Sequence, residues 1–148
     1  HLQSNKINKA LALFDVIQTV DSFQLAEKIN KKSQELNKQQ RIFCQINIGN
    51  DPHKSGFKKN ELDHINNIMQ MKNLNFEGLM TILPLGLTTN KAKKLYTQMK
   101  YIKKQIDERY NIKLELSMGM SNDYTTAIKC GATMVRIGTS LFGGRAQG

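Results

Sequence analysis

The sequence predicts an α/β fold in which repeated βα units build a parallel sheet. Helical and strand periodicities alternate from one end of the chain to the other. Every step between strands contains a helix, and no β-hairpin turn interrupts the alternation. We count five strands, fewer than the eight of a (β/α)8 barrel. The pattern therefore fits either an open doubly wound sheet or a barrel that lacks its first strands.

The first half of the chain is predicted to begin with an amphipathic helix. In order, the elements expected there are a helix at 5–14, a strand at 16–20, a second helix that ends at the polar residues 37–40, and a strand at 42–48. Asp21 with Gln24 resembles a capping box at the start of the second helix. Leu25, Ile29 and Leu36 mark the buried side of that helix.

The second half continues the alternation. The elements expected there are a helix at 59–72, a strand at 76–82, a helix from Thr89 or Asn90 to about 109, a strand at 113–117, a helix at 122–130 and a strand at 133–137. The long helix carries apolar residues at helical spacing, namely Leu95, Met99, Ile102 and Ile106. Gly131 is a natural C-terminal cap for the helix before it.

The composition is that of a basic globular protein. Apolar residues make up 39% of the 148 residues, and no apolar run approaches the roughly 20 residues of a membrane span. The length fits a single domain over residues 1–148, and without a signal-like N-terminus a cytoplasmic location is expected. The net charge of +10 comes from 18 Lys and 4 Arg. Because the lysines are scattered over predicted helix surfaces, solvated helix faces are favoured over a nucleic-acid site.

Cysteine and histidine are not arranged to hold a metal. Cys44 and Cys130 lie far apart and belong to no Cys-x-x-Cys motif, and His1, His53 and His64 show no ligand spacing. We therefore predict two buried thiols and no metal site. The glycines never form the G-x-G-x-x-G pattern or a P-loop, which weakens the doubly wound, nucleotide-binding alternative.

Polar residues near the carboxyl ends of the predicted strands mark a candidate binding site, because sheets and barrels of this class bind ligands there. Asn47 lies on the polar face of the strand at 42–48. Arg136 lies within the last apolar strand, where it needs an anionic ligand, an ion pair with a residue such as Glu115, or an exposed edge position. Gly138 and Thr139 follow it, and the glycine lets a ligand approach the backbone.

Ser121 follows the preceding strand, at the start of the helix predicted at 122–130. A serine there is commonly a structural N-cap, but free N–H groups at a helix start also favour an anion. Because Ser121 and Thr139 follow adjacent strands, both can converge on one anion. Arg145, near the C-terminus, is expected to be a surface residue.

Two segments in the C-terminal third carry a resemblance to a known family. Residues 116–123, Leu-Ser-Met-Gly-Met-Ser-Asn-Asp, then residues 132–139, Ala-Thr-Met-Val-Arg-Ile-Gly-Thr, and then Phe142-Gly143 closely resemble the pyridoxal phosphate homeostasis protein family. Further segments agree in order: Leu2-Gln-Ser-Asn-Lys6, the stretch from Asn47-Ile-Gly to Lys54-Ser-Gly56, and Gly78-Leu-Met80 ahead of Pro84. The resemblance spans essentially the whole chain.

The resemblance implies an α/β fold that is an incomplete (β/α)8 TIM barrel of the alanine racemase N-terminal-domain type, with about five of eight strands present. It implies that the cofactor is pyridoxal 5'-phosphate (PLP). Arg136 would then face the pyridine nitrogen, where a cation keeps that nitrogen unprotonated. The remaining residues implied for cofactor binding are Ser121, Gly138 and Thr139 at the phosphate, Met120 as lining, and Asn47 and Ser117 near the ring.

The family forms its Schiff base through a lysine on an early strand, upstream of the motif that ends at Lys6. Lys6 is therefore not assigned that role, and we predict that this chain holds the phosphate without the covalent bond. The resemblance implies a role in intracellular PLP homeostasis, with PLP-accepting apoenzymes as partners and no catalytic residue. The alternative is a PLP-dependent enzyme resembling amino-acid racemases. The chain is expected to be the C-terminal two thirds of a family member, and the open barrel edges are expected to favour self-association.

Overall fold

The computed structural model describes residues 1–143, so the predicted surface residue Arg145 lies outside the described part of the chain. Its five strands are β1 (Val16–Val20), β2 (Gln40–Gln45), β3 (Leu74–Met80), β4 (Glu115–Met120) and β5 (Met134–Arg136). They pair in the order β1-β2-β3-β4-β5, and every pair is parallel. A doubly wound sheet reverses its strand order at a switch point, whereas a barrel places consecutive strands side by side. The doubly wound alternative is therefore wrong.

The sheet is rolled rather than flat. The hydroxyl of Ser117, in β4, donates to Oε1 of Gln18, in β1, at 2.7 Å. In a flat sheet with strands about 4.8 Å apart, these two strands would be separated by roughly 14 Å. The side-chain amide of Gln18 also contacts the sulfur of Met134, in β5. Such contacts across three and four strand positions require a concave face, as in a segment of a barrel.

Helices cover the convex face of the sheet. They are α1 (Ile7–Leu13), α2 (Phe23–Glu35), α3 (Asp63–Met69), α4 (Thr89–Tyr110) and α5 (Tyr124–Lys129), with 3-10 turns at Ser4–Lys6 and Lys59–Glu61. Alternate residues of β2 and its extension, Ile42, Cys44 and Ile46, are buried in a core with residues of these helices. A further short helix, α6 (Thr139–Phe142), follows β5 and buries no residue in this core. Within residues 1–143, no helix is long and apolar enough to cross a membrane.

Two predicted helix caps are each displaced by one residue. Ser22, not Asp21, caps α2, because its Oγ accepts the N–H of Leu25 at 3.3 Å. Thr88, rather than Thr89 or Asn90, caps α4 by accepting the N–H of Lys91 at 3.4 Å. In both cases the capping residue has an extended backbone, which is the conformation that lets a side-chain oxygen reach an N–H three residues on.

Several other boundaries differ from the prediction. Leu36 lies beyond the last turn of α2 and is 54% exposed, so its assignment to the buried side was wrong. The helix predicted at 59–72 divides into a 3-10 turn and the shorter α3. Strand β4 runs on to Met120, past the predicted end at 117. Both predicted thiols, Cys44 and Cys130, are buried and unpaired, as expected.

Gly119 is required where β4 meets α5. Its φ of +98° lies in the region that side chains rarely adopt. A Cβ at this position would also lie 2.7 Å from the Cβ of Ala127, in α5. A glycine here lets the strand pack directly against the helix, and this contact fixes where the chain leaves β4 at Met120 and Ser121.

Candidate functional site

A cleft of about 690 Å³ opens at the carboxyl ends of β3, β4 and β5. Its walls are the loop at 81–89, the turn at 120–123, the turn at 138–143 and the side chain of Tyr96 from α4. Four of the predicted site residues line it, namely Met120, Ser121, Gly138 and Thr139. The volume falls within the range of about 300–1,000 Å³ that is typical of small-molecule sites. A second groove, of about 440 Å³ between α3 and α4, contains none of the predicted residues.

The turns after β4 and β5 meet at the cleft. The N–H of Ser140 donates to Oγ of Ser121 at 3.3 Å and joins the two turns. In the part of the chain that the structure describes, the N–H groups of Gly138 and Thr139 have no acceptor within hydrogen-bond distance. A Cβ added at Gly138 would have no atom within 4 Å, so open space adjoins these donors. Free N–H groups and hydroxyls around open space suit an anion.

Ser121 does not cap α5, contrary to the structural alternative considered from the sequence. Helix α5 begins at Tyr124, and Asp123 occupies the preceding position. Thr139 begins the four-residue helix α6, which the sequence did not predict. The two residues therefore converge from two turns, as expected, but through local structures that differ from the predicted ones.

Arg136 lies at the concave side of the sheet next to the cleft. Its Nη1 donates to Oγ of Ser117 at 2.6 Å, and its Nη2 donates to the carbonyl of Thr81 at 2.7 Å. Ser117 in turn donates to Gln18, so one chain of hydrogen bonds crosses from β5 to β1. Glu115, the partner considered from the sequence, is exposed and takes no part in this chain of contacts.

The Arg136 guanidinium is half-buried and keeps unused donors. Burial lowers the pKa of Arg136, while the nearby Tyr96 and Asp123 oppose that effect. Arginine starts from so high a pKa that the group remains a cation near neutral pH. Because a guanidinium carries five N–H donors and the two contacts above occupy two, three remain for another acceptor.

Asn47 lies outside the cleft wall. Its Nδ2 donates to the carbonyls of Asp51 at 2.8 Å and of Lys54 at 2.9 Å, and its Oδ1 accepts the N–H of Asp51 at 3.0 Å. Both ends of the amide are thus used to close the loop that follows β2. This loop brings Lys54 to the cleft. In the described structure, Asn47 shapes a loop rather than presenting its amide to the cleft.

Sequence reasoning missed four residues that build the site: Gln18, Thr81, Tyr96 and Asp123. Gln18 carried a usable signal, since it is the one amide within the apolar run Val-Ile-Gln-Thr-Val. Thr81 contributes a backbone carbonyl, which no side-chain pattern can reveal. Tyr96 falls on the buried face of α4 and so resembles an ordinary core residue.

Removal of the Ser117 hydroxyl tests the chain of hydrogen bonds across the sheet. We expect Ser117→Ala to lower the free energy of unfolding by about 1–3 kcal/mol, because Arg136 and Gln18 each lose a buried partner. Urea denaturation monitored by circular dichroism measures this change.

Ser33→Ala is the matched control. Ser33 is fully buried in α2, and within residues 1–143 its Oγ has no hydrogen-bond partner. Its removal is expected to leave stability unchanged or raised, since alanine also favours the helix. Equal effects of the two substitutions would contradict a stabilising role for Ser117.

The family described as alanine racemase, N-terminal domain, matches residues 1–146. The pyridoxal phosphate homeostasis protein of Synechocystis sp. is 42% identical over 146 residues, which cover 97% of this chain and 67% of that protein. For the corresponding proteins of Pasteurella multocida and Aquifex aeolicus the covered shares are 63% and 64%. The chain thus spans about two thirds of the length of these curated relatives.

Solved structures agree with this relationship. PipY of Synechococcus elongatus, determined with PLP bound, matches with a TM-score of 0.89 and 36% identity over 97% of this chain and 68% of that chain. An alanine racemase of Clostridium difficile matches with a TM-score of 0.78 at 17% identity, over 99% of this chain and 41% of that chain, and this likeness concerns the fold alone. The prediction of an incomplete barrel of the alanine racemase N-terminal type is confirmed.

Proposed function

Since the chain belongs to the pyridoxal phosphate homeostasis proteins, which share the alanine racemase N-terminal domain, we propose that it binds PLP by the phosphate in the cleft described above. The observation that carries the proposal is the set of open donors at Gly138, Thr139 and Ser121. A phosphate accepts several such hydrogen bonds at once, whereas a neutral ligand would leave most of them unused. The structure of the relative PipY with PLP bound supports the same ligand.

The first four proposed assignments follow from position in the cleft, and those of Arg136, Ser117 and Asn47 follow from their contacts beside it. Ser121, Gly138 and Thr139 hold the phosphate, Met120 lines the site, and Arg136 donates one of its unused N–H groups to the pyridine nitrogen. Ser117 acts through Arg136 by fixing the guanidinium, and Asn47 acts through its loop. When bound, PLP supplies an aldehyde and an electron-accepting ring. A cation at the ring nitrogen keeps that nitrogen unprotonated, which weakens the ring as an electron acceptor.

The proposed role is to hold PLP and to pass it to apoenzymes that need it. Residues 1–148 are proposed to act in this role as a single domain. This role suits a site that binds the phosphate through several hydrogen bonds and leaves the ring a weak electron acceptor. The two buried free thiols are typical of a reducing compartment, which supports a cytoplasmic location. The curated relatives carry the name pyridoxal phosphate homeostasis protein, which is consistent with this role.

A phosphate-binding variant tests the proposal directly. We expect Thr139→Ala to weaken binding of pyridoxine 5'-phosphate about tenfold or more, because the hydrogen bond from the Thr139 hydroxyl to the charged phosphate is lost. Pyridoxine 5'-phosphate carries no aldehyde, so the 18 lysines cannot form Schiff bases with it. Isothermal titration calorimetry measures the dissociation constant.

The control for that measurement is Thr125→Ala, at an exposed position of the neighbouring helix α5. This substitution is expected to leave the affinity unchanged. An affinity equal to wild type in Thr139→Ala would exclude the Thr139 hydroxyl from the phosphate site. Wild-type protein that binds pyridoxine as tightly as pyridoxine 5'-phosphate would refute recognition of the phosphate.

A racemase-like enzyme is the second candidate, and the shared fold with an alanine racemase is the observation that favours it. The proposal of a non-catalytic protein predicts no conversion of L-alanine to D-alanine above the rate of free PLP. A coupled D-amino-acid oxidase assay with added PLP measures this rate. Turnover that rises in proportion to protein concentration would replace the homeostasis role with an enzymatic one.

We also propose that this chain associates with itself through the edges of its sheet. Among the described residues, β1 and β5 are the edge strands, each paired on one side. Unpaired N–H and C=O groups of an edge strand pair readily with another chain. Sedimentation velocity over a hundredfold concentration range is expected to show a mass that rises above the monomer. A monomer throughout that range would contradict the proposal.

A further inference from the structure

The turn that carries Ser121 is closed by one carboxylate. Oδ1 of Asp123 accepts the N–H of Met120 at 2.7 Å, and the N–H of Asp123 donates to the carbonyl of Met120 at 3.0 Å. Ser121 lies between the two residues that make these bonds. The position of its hydroxyl in the cleft therefore depends on the Asp123 side chain as well as on the backbone.

The second oxygen of that carboxylate is bound to the longest helix. The hydroxyl of Tyr96, in α4, donates to Oδ2 of Asp123 at 2.8 Å. Tyr96 is 1% exposed, and its ring is packed into the core, so its position is fixed by the helix. Burial raises the pKa of the Tyr96 hydroxyl, and the hydrogen bond to Asp123 adds to that effect. Tyr96 thus stays protonated, and remains a donor, throughout the neutral range.

The hydrogen bonds to Asp123 also reduce an electrostatic repulsion within the cleft. Asp123 lines the cleft that we propose holds a phosphate, and two anions in one cleft repel each other. Here both carboxylate oxygens accept hydrogen bonds from the protein, one from a backbone N–H and one from a phenol. The Arg136 guanidinium also interacts favourably with Asp123. The Asp123 carboxylate is thus hydrogen-bonded within the protein, which reduces its repulsion of an anionic ligand.

We propose that Tyr96 and Asp123 are positioning residues for the phosphate: they hold the turn at 120–123 so that Ser121 meets the anion together with Gly138 and Thr139. Neither side chain is required to touch the phosphate. The ring of Tyr96 is held rigidly in the core, and its hydrogen bond fixes Asp123. Asp123 then fixes the turn through its hydrogen bond with the N–H of Met120. This inference rests on the proposed function, because it concerns the geometry of the same phosphate site.

The test is Tyr96→Phe, which keeps the buried ring and removes the hydroxyl. We expect the affinity for pyridoxine 5'-phosphate to fall about three- to tenfold, since one hydrogen bond that fixes the turn is lost. The affinity for pyridoxine, which lacks the phosphate, is expected to stay within about twofold of wild type. A merely structural role would not change the ratio of the two affinities, because partial unfolding reduces both alike.

Tyr110→Phe is the matched control. Tyr110 also belongs to α4 and donates its hydroxyl to Asn66, but it lies in the groove between α3 and α4 and not in the cleft. Its substitution is expected to leave the affinity ratio unchanged. If Tyr96→Phe fails to fold, Asp123→Glu provides the test, since it keeps the negative charge in the cleft but lengthens the side chain and displaces the oxygens that bind Met120 and Tyr96.

The outcomes separate the inference from the function on which it rests. Wild-type protein without a preference for the phosphorylated ligand would refute the proposed function itself. A wild-type preference that persists undiminished in Tyr96→Phe would overturn the positioning role alone. An equal loss of both ligands in Tyr96→Phe would assign Tyr96 a structural role and would also overturn the inference.

Discussion

The hydrogen bonds from Arg136 to Ser117 and from Ser117 to Gln18 are the contacts on which the rest of this structure depends. They cross the concave face of a parallel sheet from its last strand to its first. A guanidinium inside a sheet is costly to desolvate unless acceptors meet it, and here a hydroxyl and a backbone carbonyl do so. The same contacts that satisfy the cation thus hold the sheet in its rolled form.

The rolled sheet decides where a ligand can bind. In a parallel sheet all carboxyl ends lie along one edge, and curvature brings the turns after β3, β4 and β5 around a common cleft. Gly119 lets β4 pack against α5, and this contact directs the next residues, Met120 and Ser121, into the cleft. Arg136 does not line this cleft but lies beside it, where its guanidinium donates to the carbonyl of Thr81, a residue of the cleft wall.

Much of the fold and part of the site could be predicted from the sequence. The alternation of apolar strands with helices predicted five parallel strands, and β1 was placed at its observed residues. The sequence also predicted that Ser121, Gly138 and Thr139 lie together, because polar and small residues follow apolar strands, and all three line the cleft. The helix caps were displaced by one residue, because neighbouring Ser, Thr and Asp residues have similar capping preferences and only the backbone conformation selects among them.

Other features depend on contacts between distant residues, which no local pattern contains. The link between Tyr96 and Asp123 spans 27 residues, and that between Gln18 and Ser117 spans 99. Asn47 has the polarity and the strand position expected of a ligand-binding residue, yet its amide closes a loop by binding carbonyls four and seven residues later in the chain. The central claim, a phosphate held at Ser121, Gly138 and Thr139, is tested most directly by a crystal structure of this chain with pyridoxine 5'-phosphate. We predict the phosphate within hydrogen-bond distance of the Thr139 N–H and the Ser121 hydroxyl; a phosphate bound at surface lysines, with the cleft empty, would contradict the account.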